Sequence, residues 1–403
     1  MKEVLLKEYK NLDILSIPSK EEKDMVSTHF LRGAFCEVKG KKDKKFKLEF
    51  IDKSTGKIHY NPEISNNMWS KCSISYYKDW LVKVTDLSTG KIINEHNLNL
   101  KDKRVYIHLD SKAIGDTLAW FPHIERFQKK HGCKVITSTF HNEWFESEYP
   151  EFEFVKPGNQ VNNLYAQYSI GWFYNEDDTI NYNNIPIDFK KYPLAQTASE
   201  ILGLEYKEVK PRLAFSKRAP SIQEKYVCIA PHASAHAKYW NYPGGWQTII
   251  DYLKEKGYKV VMITKEPLND EWHDSKLGGT LKGVIDKTGN YSIADRVNDL
   301  RYADFFIGLG SGLSWLSWAI DTPTILISGF SKPYSEFSDC ERIFPVEDVC
   351  NGCFNRTRLN AGDWEWCPDH KNTKRMFECT KSITPSQVIS SIENIIKNNN
   401  KKK

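Results

Sequence analysis

A carboxylate at the end of a strand is the first group in this chain placed to do chemistry. Val105-Tyr106-Ile107-His108-Leu109 is rich in β-formers and stops at Asp110, a short Ser/Lys/Ala/Gly loop follows, and helical periodicity begins at Asp116. A strand that turns into a helix through small residues sets its last polar side chains at the carboxyl edge of a parallel sheet. Open α/β folds bind ligands at that edge. A carboxylate held there can take a proton from an attacking alcohol, or it can cap a turn. The loop lacks the G-x-G-x-x-G spacing of dinucleotide sites. Asp116 reads as a helix cap, and His108, two residues before Asp110, reads as a core histidine.

Two further loops suit phosphate. Gly310-Ser311-Gly312 lies between the strand Phe305-Phe306-Ile307-Gly308 and a helix that opens with Leu313 and Ser314. Free amides and the helix dipole therefore point at whatever occupies the loop, although a plain tight turn also accounts for its glycines. The second loop, residues 231–240, follows Val227-Cys228-Ile229-Ala230 and presents His232, Ser234 and Lys238. A lysine there can neutralise a diphosphate. Thr264 and Lys265, after the strand at 260–264, are weaker candidates for a nucleotide. Neither loop is a Walker motif, which disfavours a triphosphate hydrolase and favours a diphosphate held without a catalytic divalent metal.

Four of the nine cysteines form a third group. Cys350, Cys353, Cys367 and Cys379 are spaced C-x₂-C-x₁₃-C-x₁₁-C, so that a C-x₂-C turn and a later pair could complete a tetrahedral thiolate set. Disulfides are the alternative, disfavoured by the lack of a secretion signal in the first twenty residues. Zinc and iron both suit such ligands. Four protein ligands leave no open position, so the role should be structural. Cys36, Cys72, Cys133, Cys228 and Cys340 read as small buried apolar residues.

These groups need scaffolds to hold them. At 403 residues the chain can bury several cores, and no apolar run is long enough to cross a bilayer. The net charge of +5, from 57 basic and 52 acidic residues, argues against nucleic acid as a partner. Part of the surplus lies in a KNNNKKK tail that reads as solvated and disordered. The pattern divides into an N-terminal β domain (1–102), a first Rossmann-like domain (103–220) and a second (221–345). A four-cysteine metal finger (346–382) and a C-terminal helix with a basic tail (383–403) complete the chain. The β domain reads as a small barrel or sandwich without chemistry of its own. It contains two like hairpin signals, Asp52-Lys53-Ser54-Thr55-Gly56-Lys57-Ile58 and Asp86-Leu87-Ser88-Thr89-Gly90-Lys91-Ile92. Residues 140–190 read mostly as loops, and Pro122 should kink the helix that Asp116 begins.

HLDSKAIGDTLAWFP, APHASAHAKYW and GLGSGLSWLSWAIDTPTILISGF together resemble the heptosyltransferases, and among them the bacterial autotransporter heptosyltransferase family. The resemblance implies a GT-B fold and inverting transfer of heptose from ADP-heptose to serine hydroxyls of an autotransporter adhesin, in the cytoplasm. It implies Asp110 as catalytic base and a donor sugar faced by the loop Ser111, Lys112, Ala113 and Gly115. It implies phosphate contact by Lys238 and by Ser311-Gly312, ferric iron in the finger and a dodecameric assembly. The lipopolysaccharide-core relatives carry Asp-Thr-Gly and a histidine where this chain has Gly310-Ser311-Gly312 and Trp315, a departure that favours the protein-glycosylating branch. The alternatives are a lipopolysaccharide-core heptosyltransferase and a non-enzymatic nucleotide- or nucleic-acid-binding protein with a zinc finger.

Overall fold

The computed structural model describes residues 17–346 and 348–402. The opening segment read above as free of a secretion signal lies outside the described residues as far as residue 16. The chain forms two compact units. The first comprises the chain up to Lys112 together with Trp120–Asp188 and Gln196–Lys207; the second comprises Ala113–Ala119, Phe189–Ala195 and everything from Glu208.

In the first unit the N-terminal strands divide between two sheets. β1 (Met25–Leu31), β2 (Phe35–Lys39), β3 (Lys45–Asp52), β4 (Lys57–Tyr60), β5 (Glu63–Ser65), β6 (Met68–Lys71), β7 (Trp80–Asp86) and β8 (Lys91–Asn97) precede the α/β strands β9 (Arg104–Leu109), β10 (Lys134–Ser138), β11 (Glu153–Phe154) and β12 (Ala166–Ile170). One sheet runs β4-β3-β7-β8 with β5 against β3. Its strands alternate, with Phe46, Leu48 and Phe50 of β3 and Trp80, Val82 and Val84 of β7 all buried, as one-sided packing of an antiparallel sheet requires. The other runs β11-β10-β9-β12-β1-β2-β6. Three N-terminal strands thus extend the Rossmann-like sheet, β1 pairing in parallel with β12, where the sequence reads as a separate barrel or sandwich. Strand period reports a strand's faces but not its partner, which is why the junction is invisible in the sequence.

Both expected hairpins form, and the turn chemistry explains their likeness. Ser54 and Ser88 each donate backbone N–H and hydroxyl to the side chain of the aspartate two residues earlier, while Gly56 and Gly90 donate N–H to the carbonyls of Asp52 and Asp86 at 2.8 Å. Lysines close both: Lys78 on Asp52 and Lys44 on Asp86, each at 3.0 Å.

After β9 the chain enters α1 (Ile114–Trp120) and then α2 (Pro122–His131). Pro122 therefore starts a helix of its own, where its missing N–H costs nothing. Asp116 lies inside the first turn of α1 and is not its cap; Thr117 bonds back to the Ala113 carbonyl instead. The stretch read as loops holds β12, whose five residues are too few to show a period.

The second unit is a six-stranded parallel sheet in the order β15-β14-β13-β16-β17-β18. It contains β13 (Tyr226–Ile229), β14 (Lys259–Met262), β15 (Ile285–Asp286), β16 (Phe305–Leu309), β17 (Thr324–Ile327) and β18 (Glu341–Ile343). Helices cover it, so β13, β16 and β17 are buried throughout and read as continuous apolar runs. After α3 (Leu194–Ile201), which links the units in sequence, come α4 (Gly245–Glu255), α5 (Glu271–Leu277), α6 (Ile293–Arg301), α7 (Gly312–Ala319), α8 (Glu378–Lys381) and α9 (Pro385–Lys402). The α9 helix packs Val388, Ile392 and Ile395 on this core. It continues through the tail expected to be disordered, because a helix anchored by an apolar face propagates at one hydrogen bond per residue. No helix among the described residues is long and apolar enough to cross a membrane.

Candidate active site

Among the α/β strands of each unit the order reverses once, and the reversal points select the site. In the first unit β9 lies between β10 and β12, and in the second β13 lies between β14 and β16. Loops leaving the two strands at such a reversal diverge and leave room for a ligand.

Asp110 is the residue that ends β9. Its N–H is fixed on the Ile170 carbonyl of β12 at 2.8 Å. Gly171 lets the two strand ends approach, since a methyl group there would lie 3.1 Å from the Asp110 Cβ. Among the described residues nothing donates a hydrogen bond to the Asp110 carboxylate, so it is not spent on a turn. It opens into a cavity of about 560 Å³ that Arg32, Lys71, His108, Ser169 and Phe173 also line. Burial pushes the Asp110 carboxyl above its usual range and Arg32 opposes the rise. His108 cannot compete as base in its own right. Its Nε2 is 2.5 Å from the Ser169 hydroxyl, and burial drives its pKa down to about 3.

Arg32 and Lys71 come from the N-terminal strands and carry no motif. Arg32 turns the chain from β1 to β2 with a left-handed φ of 51°, a conformation that costs a non-glycine residue about 1 kcal/mol and that clusters at functional sites. Its guanidinium reaches Gln167 of β12 at 3.0 and 3.2 Å when that amide presents its oxygen. Lys71, half-buried at the end of β6, makes no ion pair among the described residues. Burial and the nearby Arg32 lower its pKa to about 8.

The loop after Asp110 is divided. Ser111 and Lys112 stay with the first unit, where the Lys112 ammonium lies 5.1 Å from the Phe140 ring centre. Ala113 and Gly115 belong to the second, where Gly115 abuts Trp315.

In the second unit the loops after β13 and β16 leave the sheet on either side of the reversal. Ser311 occupies the cap position of α7 without using its side chain there, leaving the hydroxyl available at the helix N-terminus. Ser314 is spent differently: it is buried and its hydroxyl donates to the Leu309 carbonyl at 2.6 Å. Leu313 is half-buried in the first turn. Lys238 lies 3.3 Å from the Ser234 hydroxyl and 5.5 Å from the centre of the Phe330 ring. Burial lowers its pKa while Asp116 and Glu336 raise it, so both carboxylates share its surroundings. His232 is buried, with Nδ1 3.1 Å from the Thr264 hydroxyl and its pKa pushed down by burial to about 4. Its Nε2 has no partner among the described residues. Lys265 is exposed.

Glu336 escapes sequence reasoning altogether. Ser331 donates to its Oε1 at 2.6 Å and Arg342 pairs with its Oε2 at 2.8 Å. A methyl group on Gly310 would lie 2.9 Å from Oε1. A carboxylate therefore stands beside the Gly310 loop.

The finger brings its four cysteines into one neighbourhood, but neither group of donor atoms close enough to share an ion includes Cys367 or Cys379. Cys353 and Cys367 pack with Phe330, Trp366 and Phe377. The thiols of Cys350, Cys353 and Cys367 all raise that of Cys379, which burial and this crowding push up to about 12. Thiols crowded in this way are the kind of donors that a soft cation binds as thiolates. The donor atoms of Cys350, Cys353 and Asp369 lie within 4.8 Å of one another, as do those of Cys350, His370 and Glu378. Asp369 is paired with Arg356, and Glu378 with Arg375 and the Cys350 N–H, while the Cys350 thiol donates to Asp369 at 3.5 Å and the Cys353 sulfur accepts from Arg356 at 3.8 Å.

With this geometry established, comparison with known proteins becomes specific. Residues 187–355 match the family model of glycosyltransferase family 9 (heptosyltransferase). Over 353 residues the chain is 38% identical to the autotransporter heptosyltransferase BAHTCr of Citrobacter rodentium, covering 85% of this chain and 83% of that one. The chain belongs to the autotransporter heptosyltransferase family. Another member, TibC of Escherichia coli H10407, is 37% identical over 85% of this chain and 84% of its own. The crystal structure of TibC, an iron-containing dodecameric glycosyltransferase, superimposes with a TM-score of 0.83 over 95% of this chain and 99% of its own. TibC has also been solved with ADP-D-beta-D-heptose. The family also includes BimC of Burkholderia thailandensis, named inactive and 29% identical over 76% of this chain and 72% of its own. Membership alone does not confer activity, so the Asp110 pocket has to carry that argument.

Proposed function

We propose that this chain transfers heptose from ADP-heptose to serine hydroxyls of an autotransporter adhesin in the cytoplasm, with inversion and with Asp110 as general base. The observation that carries the reading is an Asp110 carboxylate with a raised pKa and no hydrogen-bond donor, lining a cavity at a strand reversal. A serine hydroxyl is a weak nucleophile. As its oxygen attacks the anomeric carbon, Asp110 takes the proton and the bond from that carbon to the diphosphate oxygen breaks. ADP leaves with the electron pair. Lys238, Ser311 and the amides that open α7 meet the growing charge, and Ser234 and His232 support that loop. Glu336 is suited to accept hydrogen bonds from sugar hydroxyls.

Cys350, Cys353, Cys367 and Cys379 would hold ferric iron, with zinc as the alternative, and the ion would staple the finger without entering the reaction. Elemental analysis and visible absorption separate the two metals. Like TibC, the chain would assemble as a dodecamer. The deciding experiment incubates the purified chain with ADP-heptose and an adhesin passenger and looks by mass spectrometry for one-heptose increments. Transfer should be lost in Asp110→Asn with ADP-heptose binding retained. Full transfer by that variant would remove Asp110 as base, and transfer to a lipid acceptor in place of protein would move the chain to the lipopolysaccharide branch.

A further inference from the structure

We infer that the Asp110 cavity is a subsite for an acceptor polypeptide whose reactive hydroxyl lies beside an acidic side chain, with Lys71 and Arg32 as the counter-ions of that acid. The inference rests on the transfer reading above and adds the substrate feature that reading leaves open. The first step is charge. Two cations and one carboxylate line the cavity, and its imidazole, His108, is held neutral. Arg32 is anchored on Gln167, but Lys71 is half-buried and makes no ion pair among the described residues. A charge withdrawn from water without a partner is unfavourable, and a bound carboxylate would relieve it.

The second step is direction. In a displacement with inversion the nucleophile and the leaving group lie on opposite sides of the anomeric carbon. A cation sharing the base's cavity therefore faces the acceptor and not the departing diphosphate.

The third step is the kind of acceptor. Asn181, Asn183 and Asn184 line the same cavity. Two of them are held by the segment that follows β6, with Ser73 donating to Asn183 at 3.2 Å and Asn184 donating to Ser75 at 2.9 Å. Side-chain amides offer both donors and acceptors, which matches the alternating groups of a peptide backbone. The β region read as lacking chemistry therefore supplies one wall of the acceptor site.

The test uses the full chain with ADP-heptose and synthetic serine peptides that differ only in the residue beside serine: Asp, Asn or Lys. The Asp peptide should exceed the Asn peptide in kcat/KM by about fivefold, the range of a partly solvated charge pair, and the Lys peptide should be poorest. Lys71→Gln should bring the Asp to Asn ratio close to one, Lys71→Arg should preserve it, and Lys71→Glu should favour the Lys peptide. Affinity for ADP-heptose, measured on the same variants, reports whether they fold. Equal rates on all three peptides in the wild type, or a preference unchanged in Lys71→Gln, would overturn the inference while leaving heptosyl transfer intact. No transfer to any peptide or passenger would instead sink the transfer reading itself.

Discussion

The two α/β sheets share the order of four strands, β11-β10-β9-β12 and β15-β14-β13-β16, and differ in what they present at its reversal. The first offers a carboxylate, Asp110, with no hydrogen-bond donor among the described residues, in a cavity walled partly by strands far away in sequence. The second offers a lysine, a free serine hydroxyl and the amides of a helix N-terminus. One architecture thus presents a carboxylate in one unit and cationic and amide groups in the other, and under the proposed reading a handful of side chains would assign proton removal to the first and anion binding to the second. Strand order locates a site, and charge assigns its role.

The most direct way to break this contrast is at Asp110. Asp110→Asn should lower transfer by about 10²–10⁴-fold, the usual contribution of a general base, with donor affinity unchanged by calorimetry. A variant within tenfold of wild type would mean that the first unit supplies no base. Next in size, Lys238→Ala should weaken ADP-heptose binding by about 10–100-fold, as expected for loss of a charged hydrogen bond, while peptide affinity holds. Gly310→Ala probes the loop beside Glu336. The added methyl would press on a carboxylate fixed at both ends, and thermal melting should show a cost of about 1–3 kcal/mol. An unchanged melt would place Glu336 elsewhere. The smallest effect concerns pH. Burial raises the Asp110 pKa and Arg32 restrains it, so activity should fall on the acid side at a higher pH than for an ordinary carboxylate. Removing the guanidinium in Arg32→Gln should move that limb further up in the kcat/KM profile; a downward move would contradict the assignment.

The second unit was largely legible before any coordinates. Its strands are buried on both faces, so runs such as Phe305-Phe306-Ile307 stand out, and the reading of 324–327 matches β17 residue for residue. Asp110 was visible because a strand end followed by small residues is a local pattern, and the finger because four cysteines are spaced like ligands. The hairpin turns were visible because their chemistry spans only five residues. Pairing between distant strands was not. Nothing in Met25–Leu31 announces that it will lie against Ala166–Ile170, and with that pairing hidden, Arg32 and Lys71 had no reason to be set beside Asp110. Glu336 and Asp369 were missed for the same reason. Each matters through a neighbour that the chain reaches only after folding.

The pairing of β1 with β12 has a practical consequence. Any shortened version that begins after Leu31 would leave β12 with a row of bare amides and carbonyls along one side, a ready template for another molecule's strand. Trimming the chain to its glycosyltransferase homology would therefore invite aggregation, and an insoluble product from such a fragment would reflect a lost neighbour and not a lost activity.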